Sequence, residues 1–425
     1  MSFKAPRGTA DILPGEVEKW QYVEAKMREV CRLFNYREVR TPMFEYTELF
    51  QRGVGETTDI VEKEMYAFQD RSGREIALRP EMTAATVRAF VEHKYDKQPQ
   101  PTKWYYIGPM FRYERPQAGR SRQFTQFGVE LFGTNHPAAD AEVISLALQV
   151  AQAIGLKRLR TEINSIGCSE CRPVYREKLI AYFTPRKDEL CADCASRLER
   201  NPLRILDCKR EGCRAVAKDA PSILDTLCGD CGPHFQAVRE QLDAIGIDYV
   251  VNDRMVRGLD YYTQTAFEIM SDSLGAQSTV FAGGRYNDMV REIGGDDLPG
   301  IGFASGIERI LLALEKEQVV MPIDEGIDCY IVALGEGAEK KASELALALR
   351  RAGCTVDRDY MNRKMKGQMK AADRLKARYA AVLGEEELSR GTVQIKDLTT
   401  GEQEEIEASQ LASYIRTQMK QEDQK

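Results

Sequence analysis

The chain has 425 residues, 43% hydrophobic and 30% charged, with a formal net charge of −6. This is the composition of a soluble globular protein of two or three domains, and the acidic total argues against a general nucleic-acid coat while leaving room for a local basic groove. No apolar run approaches the ~20 residues of a membrane-spanning helix, and residues 1–8 carry no apolar leader core, so the expected compartment is the cytoplasm.

Residues 16–34 set Val17, Trp20, Val23, Met27, Val30 and Leu33 close to helical spacing. That helix is expected to stop near Asn35 and Tyr36. Residues 37–41 alternate like a strand, and Pro42 removes a ladder donor, which confines the strand to an edge or ends it. Segments 103–108 and 110–114 read as strand, 115–122 as a polar loop, and 123–132 as strand of period two. The result is a hairpin with a basic tip and Arg112, Gln126 and Glu130 on one face. Residues 140–155 predict a helix, and 165–240 read as a charged, cysteine-rich insertion. Strands resume around 250–285, and a glycine-rich strand at 299–306 runs into a helix beginning near Ile307. A linker is expected at 321–326. Beyond it, strands at 328–334, 355–357 and 380–384 alternate with helices at 337–352 and 364–376, implying a small α/β domain with a largely parallel sheet.

Chemistry concentrates in a few places. Arg257-Gly258-Leu259-Asp260-Tyr261-Tyr262-Thr263 crowds hydrogen-bonding groups at the mouth of the apolar strand 265–270. A buried polar group without a partner costs roughly 1–3 kcal/mol, so the cluster points to a ligand; the alternative is a strand end with a snorkelling arginine. Asp260 reads as structural. Arg112 and Arg309 suit a polyphosphate, because guanidinium forks match phosphate oxygens and keep their charge. Glu114 and the loop residues Arg115, Arg120 and Arg122 extend that surface. His93, His136 and His234 are scattered and match no triad.

Eleven cysteines in a chain without a secretory leader suit metal or free thiols better than disulfides. Eight of them, Cys168, Cys171, Cys191, Cys194, Cys208, Cys213, Cys228 and Cys231, lie in the insertion. Three Cys-x-x-Cys pairs and a looser fourth have the spacing of structural Zn²⁺ sites. One arrangement joins 168/171/191/194 and 208/213/228/231; other pairings, and free thiols, stay open.

Three segments together carry a resemblance: the helix and strand ending at Pro42, the hairpin from Phe111-Arg112-Tyr113-Glu114 through Phe132, and Gly302-Phe303-Ala304-Ser305-Gly306-Ile307-Glu308-Arg309. They resemble the class II aminoacyl-tRNA synthetases. Arg79-Pro80-Glu81-Met82-Thr83, Arg257-Gly258-Leu259-Asp260-Tyr261-Tyr262 and Gly283-Gly284-Arg285-Tyr286 resemble the histidyl-tRNA synthetases within that class, and the similarity runs from residue 6 to about 405.

The resemblance implies an α+β catalytic domain built on an antiparallel β-sheet over residues 1–325, with the insertion at 165–240. A C-terminal α/β anticodon-binding domain follows at 327–425. It implies a ligase that joins L-histidine to ATP as histidyl-adenylate and transfers histidine to the 3′ end of tRNA(His). Glu81, Thr83 and Gln126 would hold the amino group. Glu130 and Tyr262 would read the imidazole, with Tyr261 and Tyr286 beside them. Arg112, Glu114, Arg120 and Arg309 would bind ATP, and Arg257 would lie against the α-phosphate. Mg²⁺ would accompany the phosphates through ligands the sequence does not single out.

The helix and strand before Pro42 would form a homodimer interface. Between Arg358 and Arg378 basic residues outnumber acidic ones eight to two, which suits either a tRNA backbone or a solvated helix face. The rival is a catalytically silent paralogue that regulates ATP phosphoribosyltransferase. Such a protein is expected to lose the substrate residues and the C-terminal domain, and this chain keeps both.

Overall fold

A computed structural model describes residues 3–55, 58–323 and 326–422. Asp324 and Glu325, inside the expected linker, lie outside the described residues. The chain divides between Met321 and Pro322 into two compact units.

The first unit is organised by an eight-stranded sheet. Its strands are β1 (Arg37–Glu38), β2 (Thr102–Phe111), β3 (Gln123–Phe132), β4 (Leu159–Ser165), β5 (Val250–Val251), β6 (Thr263–Ser271), β7 (Thr279–Arg285) and β8 (Gly300–Gly306). The spatial order is β1-β2-β3-β8-β7-β6-β4-β5. The six inner strands pair antiparallel throughout, and a two-residue strand adds in parallel at each edge.

Period-two alternation decides what each face holds. Phe127, Val129 and Leu131 of β3 join Phe267 and Ile269 of β6 and Ile301 and Phe303 of β8 in one core. The helices Val17–Leu33 and Pro137–Ile154 cover that face, the first through Val23, Met27, Val30 and Cys31. The intervening residues Gln126, Glu130 and Glu268 turn the other way. The predicted edge strand 37–41 is shorter than expected, pairing only Arg37 with Trp104 and Glu38 with Tyr105. β2 ends at Phe111, so Arg112 stands at the start of the loop rather than on the strand. The Arg112 N–H still bonds in register to the Arg122 carbonyl (2.8 Å), but the ladder ends there because the Arg122 N–H turns to the Gly8 carbonyl and that of Tyr113 to the Glu64 carbonyl (both 2.7 Å). A three-stranded sheet of Phe44–Tyr46, Glu75–Leu78 and Tyr66–Gln69 lies outside the predicted elements.

After β4 the chain enters the insertion, whose helices Cys171–Phe183, Ala192–Arg200 and Glu211–Ala217 enclose a small core of Tyr175, Leu179, Phe183, Leu198 and Ile205, while its last helix, Cys231–Ala244, packs Phe235, Val238 and Leu242 into the core of the large sheet. The cysteines group as 168/171/228/231 and 191/194/208/213, which corrects the 168/171/191/194 arrangement. The first and last Cys-x-x-Cys turns meet because the insertion leaves the sheet and returns to it at one place. The four middle cysteines gather farther along the excursion.

The second unit holds a five-stranded sheet. Cys329–Ala333 pairs in parallel with Val356–Arg358 and with Tyr379–Leu383, between helices Glu336–Arg351 and Met365–Arg374. An antiparallel hairpin, Thr392–Asp397 and Gln403–Glu407, completes it. The sheet is therefore mixed rather than largely parallel.

One buried ion pair ties the first unit together. Arg285 at the end of β7 and Asp140 on the 137–154 helix are fully buried, with Nη2 2.5 Å from Oδ2. The Arg285 Nε is 3.0 Å from both carboxylate oxygens, and Nη1 donates to the Thr134 carbonyl at 3.0 Å. His234 of the insertion adds Nε2 at 3.3 Å from Oδ1. Burial pushes the Asp140 carboxyl up, but the Arg285 charge and the bonds from both partners outweigh it and hold the carboxyl below its ordinary range. A depressed folded pKa gives stability that is present above the unfolded value, ~3.9, and lost as pH falls. Asp140→Asn is expected to cost about 3–5 kcal/mol at neutral pH, because it strands a buried guanidinium. The urea midpoint measures this; the gap to wild type should narrow below about pH 4, and a neutral-pH loss under about 1 kcal/mol overturns the assignment.

Candidate active site

On the face of the sheet opposite the two covering helices lies a cleft of about 1410 Å³. That exceeds the space one small ligand fills. Its two ends differ in charge.

The acidic end begins with Glu81, just before the helix Thr83–Glu92. Its carboxylate accepts the N–H of Thr83 (2.8 Å) and of Ala84 (2.9 Å), satisfying donors that a helix start leaves open. Burial nevertheless raises its pKa. The Gln126 Oε1 accepts the Met82 N–H at 3.2 Å. Two residues farther along this face of β3, Glu130 accepts the Tyr106 hydroxyl at 3.2 Å and the Tyr286 hydroxyl at its other oxygen. Burial drives Glu130 up to about 8; hydroxyls of Tyr286, Thr83 and Tyr106 draw it down, and the charge of Glu81 adds to the rise. Gly302 pairs with Glu130 across the sheet. A Cβ there would stand 2.0 Å from the Glu130 Oε2, so only glycine admits the carboxylate. Tyr261 lies between Tyr262 (ring centroids 4.5 Å) and Tyr286 (5.9 Å).

The basic end is built on the hairpin and on the helix after β8. Arg112 donates from Nε to the Pro80 carbonyl at 2.7 Å and lies over the Phe124 ring at 5.2 Å. Glu114 stands 3.7 Å from Arg112 and 3.2 Å from Arg120, holding the two cations side by side. Arg309, in the first turn of the helix Ile307–Lys316, donates to the Thr279 carbonyl at 3.2 Å. Burial and the like charge of Arg120 both push Arg309 below the ordinary arginine range, against the opposing charge of Glu114. Arg257 stands 2.5 Å from Glu268 and 5.0 Å from the Tyr262 centroid, and its buried Nε has no hydrogen-bond partner.

Ten of the residues singled out from sequence thus line one cleft: Glu81, Thr83, Arg112, Glu114, Arg120, Gln126, Arg257, Tyr261, Tyr262 and Arg309. Glu130 and Tyr286 are buried behind its wall. Sequence reading missed Glu268, Glu308 and Tyr106. Glu268 had a signal, since it alternates with the core residues Phe267 and Ile269. Glu308 accepts the Thr125 N–H at 2.8 Å and is raised to about 7 by burial, while its Oε2 is buried without a partner. An array of arginines beside two buried carboxylates can receive a polyanion and a cation together.

The comparisons agree with this layout. Residues 8–310 match the family model described as histidyl-tRNA synthetase, and residues 328–418 match an anticodon binding domain. The histidine--tRNA ligase of Desulforamulus reducens is 56% identical over 97% of this chain and 98% of its own length. That of Halothermothrix orenii is 57% identical over 96% and 97%. The apo crystal structure of histidyl-tRNA synthetase from S. aureus superposes with a TM-score of 0.84 at 43% identity, covering 97% of this chain and all of that one. With the match extending across both units, the chain belongs to the histidyl-tRNA synthetase family.

Proposed function

We propose that the chain ligates histidine to tRNA(His) in two steps inside this cleft, with the residue roles that follow. Family membership carries the ligase activity and the use of ATP and Mg²⁺. The observation that best supports the roles is the pairing of two buried, electrostatically uncomfortable carboxylates with an arginine array. Histidine supplies the cation, and ATP supplies the anion.

Glu81, Thr83 and Gln126 hold the histidine ammonium, and Glu130 and Tyr262 read the imidazole between Tyr261 and Tyr286. Both Glu130 oxygens hold tyrosine hydroxyls, so reaching the ring requires one hydroxyl to give way or to relay the bond. A site that bonds both ring nitrogens rejects analogues lacking one by roughly 10⁴–10⁵. Arg112, Arg120 and Arg309 take the outer phosphates of ATP, with Glu114 aligning the first two. Arg257 takes the α-phosphate. The histidine carboxylate oxygen attacks the α-phosphorus, the bond to pyrophosphate breaks, and Arg257 neutralises the charge that develops there. In the second step the 3′-terminal ribose hydroxyl attacks the adenylate carbonyl and AMP leaves. Glu114, Glu268 and Glu308 offer the hard oxygen donors that Mg²⁺ takes alongside phosphates, and the unpartnered Glu308 Oε2 fits such a role.

Three further readings join this one. The domain roles run as 1–325 for catalysis, 165–240 for the insertion and 327–425 for the anticodon. A homodimer is supported by apolar side chains left exposed near the 17–33 helix and the three-stranded sheet: Leu33, Met43, Phe44, Tyr46 and Phe68. The eight clustered cysteines hold structural Zn²⁺ in a chain of the cytoplasm; no helix among the described residues is long and apolar enough to cross a membrane.

Histidine-dependent ATP–pyrophosphate exchange tests the core of the reading, and exchange indifferent to histidine sinks it. Glu130→Gln should raise the histidine KM at least tenfold. The folded Glu130 is raised to about 8, above its unfolded value of ~4.3, so the stability it contributes is fully present below about pH 4, falls as pH rises between those two values while only the unfolded chain ionises, and is level above pH 8. The variant should match wild-type stability near pH 4, pull ahead of it by about 1 kcal/mol per pH unit between about pH 5 and 8, and hold that lead above pH 8; equal stability at pH 8 would refute that environment. In the second unit, Lys366 and Lys370 are exposed on the helix Met365–Arg374. Reversing both to glutamate should raise the tRNA KM in aminoacylation and flatten its salt dependence, with pyrophosphate exchange unchanged. An unaltered tRNA KM counts against this helix as the tRNA surface.

A further inference from the structure

The insertion is bonded to the segment that carries Arg257, Tyr261 and Tyr262, and the bonds start at its cysteines. All four Sγ atoms of Cys168, Cys171, Cys228 and Cys231 lie within 4.8 Å of one another, as do those of Cys191, Cys194, Cys208 and Cys213. The Sγ separations of Cys168 from Cys171 and from Cys228 are 3.7 and 3.8 Å. A tetrahedral ion with metal–sulfur bonds of about 2.3 Å sets sulfur–sulfur edges of about 3.8 Å. Backbone N–H groups already point at sulfur: Cys228 to the Cys171 Sγ at 3.1 Å, and Cys191 to the Cys213 Sγ at 3.2 Å. Such bonds fix a ligand's direction before metal arrives. Gly167 turns into the first set at φ +67°, with the Cys171 Cβ only 2.6 Å from where its own Cβ would stand.

From that turn the connections run straight to the cleft. The Gln264 N–H donates to the Gly167 carbonyl at 2.9 Å, and the Ile166 N–H to the Gln264 carbonyl at 2.7 Å. The Gln264 amide donates to the Cys231 Sγ at 3.9 Å. Gln264 stands at φ +47°, a conformation that persists in a non-glycine residue only when its surroundings impose it. Arg172, adjacent to Cys171, donates to the carbonyls of Ile166 at 3.4 Å and Asp260 at 3.5 Å, and also to that of Tyr262. From the other side Arg204 donates to the Gly258 carbonyl at 3.0 Å. The segment 257–264 thus takes its position from the insertion as well as from the sheet.

We propose that each four-cysteine set binds one Zn²⁺, and that the ion at Cys168, Cys171, Cys228 and Cys231 fixes the 257–264 segment, with Arg172 as the positioning residue. This rests on the ligase reading for the roles of Arg257 and Tyr262, but the metal sites stand independently of it. Elemental analysis of the purified full chain should find two zinc equivalents, and Co²⁺ substitution should give the absorption of tetrahedral thiolate sites. Cys228→Ser should lose one equivalent and raise the histidine KM in pyrophosphate exchange roughly tenfold. Arg172→Ala should keep both equivalents and show the same rise, and Arg172→Lys should recover part of it.

Less than one zinc equivalent, or cobalt spectra without thiolate bands, overturns the metal sites. An unchanged histidine KM in a folded Arg172→Ala chain that retains both ions overturns the coupling. Two zinc ions in a chain whose exchange ignores histidine would instead remove the ligase reading and leave the metal sites standing.

Discussion

The alternation of β3 is the constraint on which the rest depends. Phe127, Val129 and Leu131 enter the core beneath the two long helices, while Gln126, Gly128 and Glu130 turn to the opposite face, Gln126 into the cleft and Glu130 behind its wall. A slip of one residue would drive a carboxylate into that core and turn the aromatic side chain outward. The register is held on both sides, by ten paired positions with β2 and seven with β8. Gly302 must then sit opposite Glu130, where any side chain would strike the carboxylate. Sheet register, glycine placement and the setting of the Glu130 carboxylate are therefore one requirement seen at three scales.

Electrostatics divides the cleft. Burial raises both Glu81 and Glu130, and the charge of Glu81 adds to the rise at Glu130, while burial and the charge of Arg120 lower Arg309 at the far end. The Asp140–Arg285 pair is the contrasting case: equally buried, but matched bidentately and bonded on every side, it belongs to the framework. Burial of charge by itself does not distinguish the two cases: Asp140 is matched by the Arg285 guanidinium, whereas the donors to Glu81 and Glu130 are neutral N–H and O–H groups.

The insertion extends the framework to the 257–264 segment. Its core is small, and three of the eight clustered cysteines, Cys194, Cys208 and Cys213, are buried in it. Through Arg172, Arg204 and Gln264 it holds backbone carbonyls of the 257–264 segment. Backbone anchoring leaves the side chains of Arg257 and Tyr262 free to face the cleft.

Much of this was legible in the residues, because the motifs are local. A strand's period, a Cys-x-x-Cys turn, or an arginine at a helix start is written within a few residues. The helix ending near Leu33, the hairpin to Phe132 and the glycine-rich strand into Ile307 all lie within a few residues of expectation. Glu81, Arg112, Gln126, Arg257 and Arg309 could be nominated one by one, but only the fold brought them to one cleft. It also withdrew Arg112 from its strand and set Glu130 and Tyr286 behind the wall. Above all it chose which cysteines meet. Spacing identifies each turn, but partnership depends on where tens of intervening residues carry the chain, and no local pattern records that path. Sequence by itself determined the chemistry of each group; tertiary structure decided the company each group keeps, because contacts between distant residues are set by packing and not by neighbourhood along the chain.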